Sequence, residues 1–240
     1  MVPMLTGLLG LGQHRAHGTS LAVIAVVAMA GVAGYWQAGN IDWRLVAALT
    51  PGSILGVLLG TRAMVKVPAL QLRLLFGMFL LFVAFRQLAW NIGAGSPPDG
   101  ATGLLIEAVV GFAGGVLAGL LGVGGGAIFV PAIVIFGLAG DAGDPQKVAQ
   151  GVSLVVIVFT GIAGTVTNLR QDTIDIDLLR WVAPAAMIAA FVAALAANRV
   201  DDAVLRRIYG LTALLLGIET VYSSARGLRN GQRGVEIELA

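Results

Sequence analysis

The sequence predicts an all-α integral membrane protein, a polytopic helical bundle built from two homologous repeats and containing a glycine-broken helix. Three observations predict it. Of 240 residues, 58% are hydrophobic and only 12% charged, about half the charge of an average soluble domain, with mean hydropathy +0.90. Seven apolar stretches approach or exceed the length needed to cross a bilayer. The two halves also match each other at one constant offset. A soluble fold of this size cannot cover itself with so few charges, and disordered chains are poor in apolar residues.

The elements follow from apolar runs near 18 residues or more. Helices are expected at Gly18–Ala38, Leu45–Gly60 and Ala69–Ile92, the last interrupted by Arg73 and Arg86. A polar connector, Ser96-Pro97-Pro98-Asp99-Gly100, separates the halves. The longest run, Thr102–Leu138, is 37 residues with one charge, Glu107. That is too long for one span of about 20. Gly122-Val123-Gly124-Gly125-Gly126 breaks it into a helix, a break and a short helix. Further helices are expected at Ala149–Asn168, Leu178–Ala197 and Ala203–Ser223, and Arg226–Ala240 reads as a loose polar tail. The organisation is therefore a first repeat over 1–93, a connector over 94–101, a second repeat over 102–225 and a tail over 226–240.

The repeat rests on residues that chance matching of apolar segments would not favour. At an offset of 133, Gly18-Thr19-Ser20-Leu21 falls on Gly151-Val152-Ser153-Leu154, Ile41-Asp42 on Ile174-Asp175, Pro51 on Pro184, Leu72-Arg73 on Leu205-Arg206 and Gly77 on Gly210. At a slightly smaller offset Val2-Pro3 falls on Val130-Pro131. The first repeat then has no counterpart of the helix and glycine break that precede Val130, so it reads as truncated at its N-terminus. Basic residues divide into a richer set (Arg15, Arg62, Lys66, Arg170, Arg180, Arg226, Arg229 and Arg233) and a poorer one (Arg44, Lys147, Arg199, Arg206 and Arg207). This places the richer side in the cytoplasm. The halves come out inverted if the piece after the break crosses the membrane, and the parity flips if it only re-enters.

Internal repeats with a broken helix are a transporter pattern, with the substrate between the repeats. Unwinding at Gly122, Gly124, Gly125 and Gly126 frees backbone N–H groups up to Ala127, and a half-helix N-terminus carries partial positive charge. Close helix packing by small residues is the bland alternative. The fit of this string to a dinucleotide fingerprint is discounted, because an apolar helix rather than a strand precedes it. Gly18, Thr19 and Ser20 and their counterparts Gly151 and Ser153 open helices, either as caps or as hydroxyl donors converging on a central site. His17 and Gln150, one position upstream of each glycine, are placed at its mouth. Pro51 and Pro184 are matched kinks and candidate hinges. Asp42 and Asp175 read as caps, and Arg86 and Glu219 occupy equivalent positions where pairing is conceivable.

The series Gly119 to Gly126, Val130-Pro131 and Gly151-Val152-Ser153-Leu154, with first-half counterparts at Val2-Pro3, His14, Ala16, Gly18 to Leu21 and Gly39 to Trp43, resembles the sulfite exporter TauE/SafE family of membrane permeases. The resemblance covers roughly residues 2 to 225. It implies a permease for a small anion, with sulfite, sulfoacetate or related organosulfur anions as usual substrates, in the cell (inner) membrane. Family members carry a glycine-rich break in the first half too, which this sequence lacks.

No cofactor or metal is expected: Cys is absent, and His14 and His17 have no carboxylate cluster beside them. The basic balance belongs to helix flanks and not to nucleic acid. The expected partners are a small inorganic or organosulfur anion and the lipid bilayer, and a homo-oligomer is compatible with the sequence. The rival readings are a membrane-embedded enzyme, for which no catalytic cluster is visible, and a structural subunit of a larger membrane complex.

Overall fold

A computed structural model of the chain describes residues 13–63, 69–89, 100–121, 125–140, 143–170 and 173–238. Among them are eight helices: α1 (Gln13–Gln37), α2 (Trp43–Ala63), α3 (Ala69–Ala89), α4 (Gly100–Leu121), α5 (Gly126–Ile135), α6 (Pro145–Leu169), α7 (Ile176–Arg199) and α8 (Asp202–Glu238). Five of these (α1, α2, α4, α6 and α7) are long and apolar enough to cross a membrane. Such an environment offers the backbone no water, so helices that satisfy their own N–H and C=O groups are the natural solution. The chain is a multi-pass membrane protein, as its composition predicts.

The expected elements are present, but α1 begins at Gln13 and α6 at Pro145, so Gly18 to Ser20 and Gly151 to Ser153 lie inside these helices and do not cap their starts as expected. α8 also differs: it continues to Glu238, through the stretch expected as a loose tail. Arg226, Leu228, Arg229, Gln232, Arg233 and Glu236 are all strong helix formers, and extending an existing helix avoids the nucleation step.

The starts of α2 and α7 are built alike. The Asp42 carboxylate accepts the backbone N–H of Leu45 at 3.1 Å, and the Asp175 carboxylate accepts that of Leu178 at 2.9 Å. Each satisfies one of the four orphan donors at a helix start. Helices α1 and α6 run antiparallel, with Gly18 beside Thr173 and Asn168, and Gly161 beside Ala25. α3 and α8 are likewise antiparallel, Gly77 meeting Val221 and Leu88 meeting Gly210. This register leaves Arg86 and Glu219 about two helical turns apart, so they do not pair.

Helices α2 and α4 run parallel and approach backbone to backbone through a glycine seam. A Cβ on Gly52 would stand 2.6 Å from the Ala108 carbonyl oxygen, and one on Gly119 would stand 2.6 Å from that of Val57. At Gly56 and Gly60 it would overlap the carbonyls of Phe112 and Val116, and at Gly115 that of Ser53. Small residues at every fourth position are how membrane helices gain dispersion and Cα–H···O contacts without a hydrophobic driving force. The main apolar core gathers around α5: Phe129 and Ile133 are fully buried against Leu45 and Leu49 of α2 and Val152 and Val156 of α6.

Candidate functional site

α5 starts inside the bundle. Gly125 precedes it in the left-handed conformation (φ +83°), and no side chain among the described residues caps the helix. A Cβ at Gly125 would lie 2.5 Å from the Phe129 ring, so glycine is needed for both conformation and space. The Gly125 carbonyl accepts the N–H groups of Ile128 and Phe129 at 2.9 and 2.8 Å. The N–H groups of Gly126 and Ala127 have no partner within the helix, as at any helix start. Ser153 and Ile157 of α6 flank this end: a Cβ on Gly126 would lie 3.8 Å from the Ser153 hydroxyl and 3.1 Å from Ile157. Ser153 is eight residues from Pro145 along α6, about 12 Å from that end.

The Ser153 hydroxyl is buried at 1% exposure and has no hydrogen-bond partner among the described residues. A buried hydroxyl without a partner carries a desolvation penalty, and native folds rarely tolerate one without a reason. Here the orphan hydroxyl sits beside an uncapped helix N-terminus. Tyr209 of α8 donates from its hydroxyl to the Gly126 carbonyl at 3.4 Å, fixing the first residue of α5 from a third helix.

The other candidate residues fall into several groups. Gly122 and Gly124 lie outside the described residues, as does the side chain of His17. Ser20 is fully buried in α1. The Thr19 hydroxyl accepts the backbone N–H of Asp175 at 2.9 Å, so it holds the start of α7. Gly18 and Gly151 make reciprocal close approaches: a Cβ on Gly18 would lie 2.7 Å from the Thr173 carbonyl, and one on Gly151 would overlap that of Asn40. Both glycines thus have a packing role, letting α1 and its counterpart α6 each seat against the connector of the other half. Gln150 accepts a short hydrogen bond from the Tyr35 hydroxyl. Pro51 and Pro184 lie inside α2 and α7 on exposed positions, and both helices continue through them.

Several polar pairings were not foreseen from the sequence, although Glu107, Arg44 and Lys147 stand out in it as charges. Glu107, 2% exposed, pairs with Arg44 at 3.1 Å, while its second carboxylate oxygen has no partner among the described residues. Buried Gln87 donates to Gln146 at 3.2 Å. Lys147 pairs with Asp144 at 3.2 Å. These contacts link positions 63, 59 and 3 residues apart, and only the last has a local spacing signal. An apolar cavity of about 140 Å³ lies between α3, α4 and α5, lined by Leu75, Phe76, Phe79, Leu117, Leu121 and Ile128. It offers an anion no donor. Among the described residues no cluster of His, Cys, Asp or Glu is arranged to hold a metal.

A bundle with five helices long and apolar enough to cross a membrane defines a class: the polytopic membrane proteins. The comparisons give the family. The model of the sulfite exporter TauE/SafE family matches residues 1–98 and 106–238, and the chain belongs to that family. A "Probable membrane transporter protein" of Xylella fastidiosa (strain 9a5c) is 25% identical over 228 residues, covering 92% of this chain and 85% of that protein. The "Probable membrane transporter protein YunE" of Bacillus subtilis is 22% identical over 226 residues, 85% of this chain and 80% of its own. One from Haemophilus influenzae is 31% identical over 124 residues, 51% of this chain and 47% of its own. No solved structure matches. The protein is a membrane transporter and not an enzyme.

Proposed function

We propose that the chain exports a small oxyanion, sulfite or an organosulfonate such as sulfoacetate, from the cell by alternating access between two inverted repeats. The observation that carries the reading is the Ser153 hydroxyl, buried with no partner among the described residues, beside the N-terminus of α5 at Gly126 and Ala127. An oxyanion entering the bundle loses hydrogen bonds to water that must be replaced. Helix N–H groups and a hydroxyl replace them without a fixed cation, which favours release as well as binding. The antiparallel pairs α1–α6 and α3–α8 support the inversion, because each joins helices at equivalent positions of the two halves. In the cell (inner) membrane, an interior at −100 mV drives anion exit by about 2.3 kcal/mol per charge, so no cofactor is needed.

The test is flux through proteoliposomes holding a set membrane potential, with sulfite, sulfoacetate, sulfate, thiosulfate and chloride compared. Sulfite or sulfoacetate flux above that of chloride and of empty vesicles is expected, reversing with the sign of the potential. Flux of none of these anions, or equal flux of all, would sink the proposal.

A further inference from the structure

Helix α6 is apolar over most of its length, yet one line along it is polar. Gln146, Gln150 and Ser153 stand at intervals of four and three residues, the spacing that keeps side chains on one face of a helix. Ile157, four residues further on, continues the line to Gly126 at the start of α5. The line therefore runs from the Pro145 end of α6 to the helix start at which the anion is placed.

Both glutamines are held from the first half of the sequence. The Tyr35 hydroxyl of α1 donates to Gln150, and the Gln87 amide of α3 donates to Gln146 at 3.2 Å. Tyr35 is 4% exposed, Gln87 7% and Gln146 1%, so both steps are shut off from solvent. The side-chain nitrogen of Gln146 has no partner among the described residues. A buried amide with an unused donor carries a desolvation cost that packing alone does not repay, and polar side chains lined up inside a membrane bundle mark a pathway. Asn168 stands 133 positions after Tyr35, yet it bonds within its own half, donating to the Gly164 carbonyl at 2.8 Å and accepting from Thr173 at 2.9 Å. The tie that Tyr35 makes across the halves is thus not a simple consequence of its place in the repeat.

We propose that Gln146 and Gln150 line the passage between Ser153 and the side of the membrane on which α6 begins, and that Tyr35 and Gln87 are the latches that close it. The proposal rests on the placement of the oxyanion at Ser153 and adds its route. Alternating access moves one half against the other, so hydrogen bonds that cross between halves on the closed side break and re-form in each cycle. With the latches released, both amides offer the oxyanion neutral N–H donors of the kind it meets at Ser153, and it passes from one to the next without a fixed cation to hold it.

The chain has no cysteine, so a single Ser153→Cys reports on the passage. The full chain is placed in right-side-out and in inverted membrane vesicles and treated with a membrane-impermeant methanethiosulfonate. Gly143→Cys and Arg170→Cys, exposed just beyond the two ends of α6, mark the two sides and should react from opposite ones. Tyr35→Phe keeps the ring and removes the bond. It should speed labelling of Ser153→Cys from the Gly143 side about 2- to 12-fold, the worth of one hydrogen bond, and should not speed it from the Arg170 side. Gln87→Met, which keeps the length of the side chain, should act in the same direction and serves should Tyr35→Phe misfold. A packing role predicts instead an equal gain from both sides. Unchanged labelling in both variants, or equal acceleration from the two sides, overturns the latches and leaves the anion site in place. Ser153→Cys that reacts from neither side in any of these backgrounds, while both markers react, overturns the passage and the anion site together. No transported anion is needed for this readout, so it stands apart from which anion is carried.

Discussion

Removing the Ser153 hydroxyl separates binding from stability, because the two effects have opposite signs. This hydroxyl is buried and has no partner among the described residues. Ser153→Ala therefore deletes no hydrogen bond among the described residues and relieves a desolvation penalty of about 1–3 kcal/mol. The alanine methyl fits where the hydroxymethyl group was, so no cavity opens. The variant should unfold at the wild-type temperature or above it. Bound to an oxyanion, the same hydroxyl donates a hydrogen bond to a charged acceptor, worth about 1.5–3 kcal/mol. Losing it should weaken apparent affinity about 10- to 150-fold. Two assays read the two sides: thermal unfolding of the purified protein in detergent without anion, and the concentration dependence of sulfite flux in proteoliposomes. A lower unfolding temperature combined with unchanged affinity would refute the reasoning, since it would make Ser153 a packing residue with an unnoticed partner.

Other outcomes follow from the same contacts. Gly125→Ala forces a Cβ into a left-handed residue, at about 1–2 kcal/mol, and against the Phe129 ring 2.5 Å away; flux should be lost while membrane insertion, read by fractionation, persists. Gly56→Leu drives a side chain into the backbone of Phe112 and Val116, and the seam must open by roughly 1 Å to restore ordinary contact. The unfolding temperature should fall with a loss of about 1–3 kcal/mol, whereas Gly143→Ala, whose Cβ meets nothing within 4 Å, should leave it unchanged. Arg44→Ala strands the Glu107 carboxylate and should destabilise by about 1–3 kcal/mol; adding Glu107→Gln should recover part of that loss, a non-additivity visible in a double-mutant cycle. Asp42→Ala and Asp175→Ala should each cost about 1 kcal/mol of stability through a lost cap. Because they sit at separate helix starts, the double variant should be close to additive in denaturant unfolding.

Sequence pattern carried the fold a long way, because in a membrane the governing rules are local. Apolar length marks the spans, the glycine run marks the break that separates α4 from α5, and Asp42 and Asp175 announce the starts of α2 and α7. The end of α8 was misjudged for a local reason as well: polarity marks where a helix leaves the bilayer, and Arg226 to Glu238 leave it without ceasing to be helical. The seam of Gly52, Gly56 and Gly60 against Gly111, Gly115 and Gly119 had a readable signal in its fourfold spacing, but spacing alone does not pair two stripes among several helices. The contacts near the site were less legible still. Tyr35 reaches Gln150 across 115 residues and Tyr209 reaches Gly126 across 83, distances at which no local period operates. Conversely, Gly18 and Gly151 stood out as site residues because they recur, and their recurrence has a sufficient cause in the close approach each makes to the opposite connector.

The placement of cations bears on how such a site would work. Arg44 is tied to Glu107 and Lys147 to Asp144. Both pairs join residues near the starts of α2 and α6, the ends that lie together on one side of the bundle. These two cations thus come with their own anions and do not hold a third. Deeper in, Ser153 and the first N–H groups of α5 offer donors without a net charge. An anion moving from that rim to this interior would exchange hydration for hydrogen bonds and for the partial charge of a ten-residue helix, which amounts to about half an elementary charge. That field is strong enough to offset part of the lost hydration and too weak to trap the ion. A lysine placed at Ile157, beside Gly126, would reverse the balance: Ile157→Lys should bind anion more tightly and release it more slowly. Single-turnover efflux should then fall well below wild type even as the apparent Kd drops, and an Ile157→Lys transporter that turned over as fast as wild type would remove the case for weak, charge-free binding.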